Sequence, residues 1–139
     1  LNNAREYDIE MTLLATSYLP RHSEYLTSTE LVTVIGNLIE NAIEAVNAQK
    51  ADIQRSISLQ ITEDRKGLLI IVSDTGIGMS PEIISKIYDN GFTTKGDENR
   101  GIGMKLIRDI IDRDGGSIEV DSDPGSGTTF TLIFHEQRS

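Results

Sequence analysis

Cysteine is missing from the chain, which removes disulfides, thiolate metal sites and thiol nucleophiles from consideration. Its absence fits a reducing compartment. Long apolar runs are missing too. The longest, Leu68 to Val72, falls far short of a membrane span, so no direct membrane contact is expected. No secretory signal is visible, and the chain begins at Leu1 instead of Met, as an excised fragment would. Positive charge is scarce as well: 13 Lys and Arg stand against 22 Asp and Glu, for a formal net charge of −9. Such an acidic balance argues against non-specific nucleic-acid binding. A phosphate ligand would need positive charge gathered locally, and the sequence gathers it between Lys86 and Arg108.

What is present reads as one compact domain over residues 1–139. The proportions are ordinary for a globular chain, with 37% of residues hydrophobic and 25% charged. After a polar lead-in, residues 1–7, that could end a preceding helix, Asp8 to Ser17 reads as a first strand. Thr27, Ser28 and Thr29 offer N-cap hydroxyls for a helix running from about Thr29 to Gln49. Its apolar positions Leu31, Ile35, Leu38, Ala42 and Val46 predict one buried stripe. Ser56 to Glu63 and Leu68 to Ser73 predict a hairpin turning at Arg65, Lys66 and Gly67. Ser80-Pro81-Glu82 opens a short helix, with proline where its missing N–H is harmless. Asp89 to Arg100 is rich in Asp, Asn, Gly, Thr and Lys and predicts a flexible loop. A further helix runs from near Gly101 to about Arg113, ended by Gly115-Gly116. Ser117 to Ser122 and Thr128 to His135 predict a second hairpin. The sum is an α+β, two-layer α/β sandwich, its sheet mixed and mostly antiparallel, with helices on one face.

Four places carry chemistry. Asn37, Asn41 and Glu44 share one helix face, although Asn is a weak helix former; a solvated face would read the same way. Asp74-Thr75-Gly76-Ile77-Gly78 lies where a strand runs out, and two glycines there let backbone approach a flat ligand. Asp74 could accept from the exocyclic amine of adenine, whereas guanine presents an opposing acceptor; the mismatch costs about 1–3 kcal/mol in a buried pocket. Arg100-Gly101-Ile102-Gly103 opens a helix, whose free N–H groups suit phosphate. It is neither a dinucleotide fingerprint, since Leu106 replaces the third glycine, nor a Walker motif. Gly125-Ser126-Gly127-Thr128 is a hairpin tip whose threonine hydroxyl could face a ligand. Taken singly, each is also a common turn or helix start.

Their order is more telling. It resembles the Bergerat ATP-binding fold of gyrase, Hsp90, MutL and the histidine kinases over nearly the whole chain, from about Asp8 to Phe134. Asn37 to Asn41 looks like the N box, Asp74 to Gly78 the G1 box, and Gly91 to Gly96 the F box within an ATP lid, 89–100. Arg100 to Met104 looks like the G2 box and Gly125 to Thr128 the G3 box. The wording Gly-Phe-Thr-Thr-Lys-Gly, then Arg-Gly-Ile-Gly-Met, is most similar to sensor kinases of the citrate and C4-dicarboxylate type.

The resemblance implies a catalytic domain that binds ATP with Mg²⁺ and phosphorylates a histidine elsewhere. Asn41 would supply an oxygen to Mg²⁺, which keeps most of its shell as water and phosphate, and Asn37 would assist near the phosphates. Asp74 would read adenine, Gly76 and Gly78 would shape its pocket, and Thr128 would reach the base through water. Lys95, Arg100 and the backbone of Gly101 and Gly103 would hold the β- and γ-phosphates. Two departures stand out. Asn37 occupies the place of the water-activating glutamate of gyrase, so efficient hydrolysis is not expected. Glu44 stands where some histidine kinases have a lysine.

The phosphoacceptor is absent: His22 lies in a loop beside Pro20 and His135 at a strand end, and both read as surface residues. The implied partners are a histidine-bearing dimerisation domain of the same kinase and the receiver domain of a response regulator. This domain alone would be monomeric and cytoplasmic, part of a membrane-anchored bacterial sensor. Alternatives are a serine kinase of the anti-sigma-factor type and a non-catalytic, nucleotide-gated docking module.

Overall fold

The computed structural model describes residues 9–13, 25–63, 67–86 and 98–135, the side chains of 98–103 excepted. Its elements are β1 (Glu10–Leu13), α1 (Ser28–Asn47), β2 (Ser56–Glu63), β3 (Gly67–Asp74), α2 (Pro81–Lys86), α3 (Glu98–Asp114), β4 (Gly116–Asp123) and β5 (Gly127–His135). The strands form one sheet in the order β1-β2-β3-β5-β4. Only β1 and β2 run parallel; the other three pairings are antiparallel. Mixed, mostly antiparallel and α+β is what the element pattern predicts.

Alternation decides which face is covered. In β3, Leu68, Ile70, Val72 and Asp74 are buried while their neighbours are half-buried. Across the ladder they meet Phe134, Leu132, Phe130 and Thr128 of β5, all buried. The same core cluster takes in Leu31, Val34, Leu38, Ala42 and Val46 from α1, and Met104, Ile107, Ile110 and Ile111 from α3. Both helices therefore cover this one face. On β4 every second residue, Ser117, Glu119, Asp121 and Asp123, is exposed.

The start of α1 is fixed by a capping box. The Thr27 hydroxyl accepts from the Glu30 N–H at 3.1 Å, and the Glu30 carboxylate accepts from the Thr27 N–H at 2.9 Å. Glu30 also pairs with Arg113, which ties this end of α1 to the end of α3.

Several boundaries differ from the expected ones. The first strand is only Glu10–Leu13 among the described residues, not Asp8 to Ser17. In α1 the deeply buried residue is Val34, not Ile35, which is half-buried. Both positions continue a three–four spacing from Leu31, and Ile35 still packs at the margin of the core. The helix α3 begins at Glu98, so the end of the predicted loop is already helical. Glu98-Asn99-Arg100 contains no glycine or proline to stop it. The rest of the predicted lid, the turn at Arg65 and Lys66, residues 1–7 and His22 lie outside the described residues. His135 is exposed. No described helix is long and apolar enough to cross a membrane.

Candidate functional site

Asp74 is the last residue of β3, the central strand, and only 8% of it is exposed. A carboxylate there needs donors. The Gly76 N–H donates to its Oδ1 at 2.8 Å, and the Thr128 backbone N–H, from the residue opposite in β5, donates as well. These bonds do not offset the loss of water: burial pushes the pKa from 3.8 up to about 6. The site thus keeps a carboxylate that is partly protonated in mild acid and ionised near neutrality.

The glycines around it are there because nothing larger fits. A Cβ on Gly76 would lie 2.5 Å from the Cβ of Ala45, on α1. Gly78 has φ +70°, and a Cβ there would meet the Asp123 carbonyl oxygen at 1.9 Å. The loop from Asp74 to Gly78 is therefore pressed between the end of α1 and the β4–β5 hairpin. Ile77, between the two glycines, donates its N–H to the Ala45 carbonyl and is 36% exposed.

Thr128 is buried, and its hydroxyl shares a 2.8 Å bond with that of Ser122. Ser122 donates its single proton to the Gly127 carbonyl at 3.0 Å and accepts the Met79 N–H at 2.8 Å. The bond between the hydroxyls is then donated by Thr128, whose oxygen remains an acceptor for a ligand or a water.

Asn41 lies on the α3-facing side of α1, and Asn37 stands one turn before it. Asn41 donates from Nδ2 to the sulfur of Met104 at 3.0 Å, which joins α1 to the glycine-rich opening of α3. Its Oδ1 takes no part in that bond and is a hard oxygen of the kind Mg²⁺ accepts, so the donor chemistry fits one protein ligand to that ion. Among the described residues there is no group of three His, Asp or Glu that would hold a metal unaided. Asn37 donates from Nδ2 to the Thr33 carbonyl at 2.7 Å, one turn back.

The structure brings Asp74, Gly76, Gly78 and Thr128 together, and it joins Asn41 to α3. Gly101 and Gly103 are the fourth and sixth residues of a helix that starts at Glu98. The N–H groups free of intrahelical acceptors belong to its opening turn, 98–100, and the two glycines fall just beyond it. Lys95 is outside the described residues, and Arg100 is described by its backbone alone. Sequence reasoning missed two residues. Ser122 orders the Thr128 hydroxyl, and Gln49 donates to three backbone carbonyls of the surrounding loops. Neither belongs to a motif; only the folded chain brings them to the site.

Residues 27–138 match the model of the family described as histidine kinase-, DNA gyrase B-, and HSP90-like ATPase. Among curated proteins, the chain is 35% identical over 135 residues to a "Probable C4-dicarboxylate sensor kinase" of Bacillus subtilis, covering 96% of this chain and 25% of that one. It is 36% identical over 130 residues to the sensor histidine kinase DcuS of Escherichia coli, covering 94% and 23%. The sensor protein CitS of Bacillus subtilis is 31% identical over 138 residues, covering 99% and 25%. The chain thus spans about a quarter of the length of these relatives. Among solved structures, the catalytic domain of the histidine kinase ThkA superposes with a TM-score of 0.75 at 24% identity, covering 96% of this chain and 84% of that one. The ordered boxes, the mixed sheet and the sequence match agree, and the chain belongs to the histidine kinase-, DNA gyrase B- and HSP90-like ATPase family.

Proposed function

We propose that this chain is a single catalytic domain that binds ATP with Mg²⁺ and passes the γ-phosphoryl group to a histidine on a separate domain. The observation that carries the reading is the buried carboxylate of Asp74, held by the N–H groups of Gly76 and Thr128 at the end of the central strand. An ionised carboxylate can accept more than these two donors, and the exocyclic amine of adenine would supply another. Gly76 and Gly78 let backbone lie against the base, and the oxygen of Thr128 takes a water from it.

The phosphates would extend along α1 toward Asn41, about 6 Å along the helix from Ala45 at about 1.5 Å per residue. Asn41 would hold Mg²⁺ through Oδ1, and Asn37 lies one turn away on the same face. The ion supplies charge neutralisation for the triphosphate. Lys95, Arg100 and the opening turn of α3, 98–100, would surround the β- and γ-phosphates, with 89–100 as the lid and Gly101 and Gly103 letting the helix backbone come close. The N–H groups at the start of a helix favour anions, and phosphoryl transfer asks chiefly for position and charge neutralisation. Asn37 cannot act as the base for water, so the phosphoryl group is kept for a protein acceptor.

Within a longer sensor protein of the kind the relatives represent, the acceptor would sit on a dimerisation domain. The phosphate would then move to an aspartate of a response regulator's receiver domain. This part would be monomeric alone and would face the cytoplasm in a membrane-anchored sensor. The test mixes the 139-residue chain with a histidine-bearing hairpin domain and γ-labelled ATP. Acid-labile phosphate on that domain is expected, and Asn41→Ala should abolish it. Acid-stable phosphate on a serine partner would favour the anti-sigma-factor type instead. No transfer to any acceptor, with nucleotide binding intact, would leave a nucleotide-gated docking module.

A further inference from the structure

Gln49 stands two residues beyond the end of α1 and is buried, with 7% of its surface exposed. Its Nε2 lies 2.8 Å from the Gly76 carbonyl oxygen, 3.1 Å from that of Gly125 and 3.2 Å from that of Thr75. Its Oε1 accepts the Lys50 N–H at 3.0 Å. A carboxamide has two N–H protons, so three carbonyls share them. The carbonyls come from two segments far apart in sequence: the loop after Asp74 and the tip of the β4–β5 hairpin.

Three carbonyl oxygens converging without a donor would repel one another and would be left unsatisfied in a buried place. The neighbouring N–H groups are committed, since Ile77 donates to Ala45 and Gly125 donates to Ile77. The Gly125 N–H already joins the tip to Ile77, and Gln49 adds the donor that these three carbonyls share. The link to chemistry runs through one residue. The carbonyl of Gly76 is held by Gln49, while its N–H holds Oδ1 of Asp74.

We propose that Gln49 is a positioning residue for base recognition, tying Thr75 and Gly76 to Gly125 so that the Asp74 carboxylate is aimed at adenine and ATP is preferred over GTP. This inference rests on the nucleotide reading above. A merely structural role would lower stability and leave the choice between bases untouched, so selectivity is the deciding readout.

Gln49→Met keeps length and bulk and removes the donor. The experiment titrates the 139-residue chain and this variant with ATP and with GTP, both in magnesium, by calorimetry well below the melting temperature. ATP affinity should fall about tenfold, as expected for one misaligned buried hydrogen bond between Asp74 and adenine, and GTP affinity should change far less. An unchanged ATP affinity, or equal losses for both nucleotides, overturns the inference while leaving the nucleotide reading in place. Absence of ATP binding in the unaltered chain overturns both. If Gln49→Met does not fold, the unaltered chain decides by nuclear magnetic resonance. The Gln49 side-chain amide protons should exchange slowly and shift when ATP is added. Fast exchange, or no shift, overturns the proposal.

Discussion

Replacing Asp74 by Asn keeps the shape of the side chain and removes its charge. The carboxylate is 8% exposed at the end of the central strand, and burial raises its pKa from 3.8 to about 6 against the pull of two backbone N–H groups. A carboxyl with a folded pKa above its unfolded value holds its proton more tightly in the native state. Its contribution to stability is complete below about pH 4 and is lost as pH rises through about 6. Between those limits the raised pKa corresponds to about 3 kcal/mol. From about pH 7.5 down to about pH 5, the unaltered chain should regain about 1.4 kcal/mol relative to Asp74→Asn. Asparagine does not titrate, and the other carboxylates are common to both chains, so the difference isolates one group. Urea unfolding followed by circular dichroism at several pH values measures it. The variant should be the more stable chain near neutrality and lose that advantage in acid. Its ATP affinity should fall, because a carboxamide can turn an N–H toward the adenine amine. A difference in stability that stays flat across this pH window would refute the reasoning.

Other outcomes follow from particular contacts. Gly76→Ala puts a Cβ 2.6 Å from the carbonyl carbon of Ala45, which is backbone and cannot step aside. The loop should move off α1, lowering stability by about 1–3 kcal/mol in urea unfolding and weakening ATP binding in calorimetry. Thr27→Ala breaks the capping box and should lower stability by about 1 kcal/mol. Thr27 sits at the far end of α1 from Gln49, so nucleotide affinity, measured alongside, should be unchanged. Leu38→Ala opens a hole in the core under α1, where Leu38 is fully buried, and should cost about 2–5 kcal/mol in the same unfolding assay.

The fold was legible because periods differ. The alternation of β3 and the three–four spacing of α1 each specify a buried face from local residues alone. Where two local choices fit equally, as with Val34 and Ile35, only the packed chain chooses between them. Asp74, Gly76, Gly78 and Thr128 were legible as parts of ordered boxes, and the strand pairing brings them together. Gln49 and Ser122 were not, because their partners are set by the register of the hairpin and the end of a helix. Gln49 reaches residues 26, 27 and 76 positions away, and no window of sequence contains that relation. The start of α3 was placed three residues late, because glycines attract attention as helix openings while Glu98-Asn99-Arg100 can simply continue as helix.

β4 ends the sheet on one side, and it turns Glu119, Asp121 and Asp123 outward. Two copies drifting together edge to edge would bring three carboxylates from each into one seam, where like charges oppose strand pairing. The opposite border, among the described residues, is a strand of four residues, short for templating a neighbour. The surplus of acid that makes triphosphate binding harder thus guards the chain against fibrous self-association. Neutralising those three outward carboxylates would expose the seam to it.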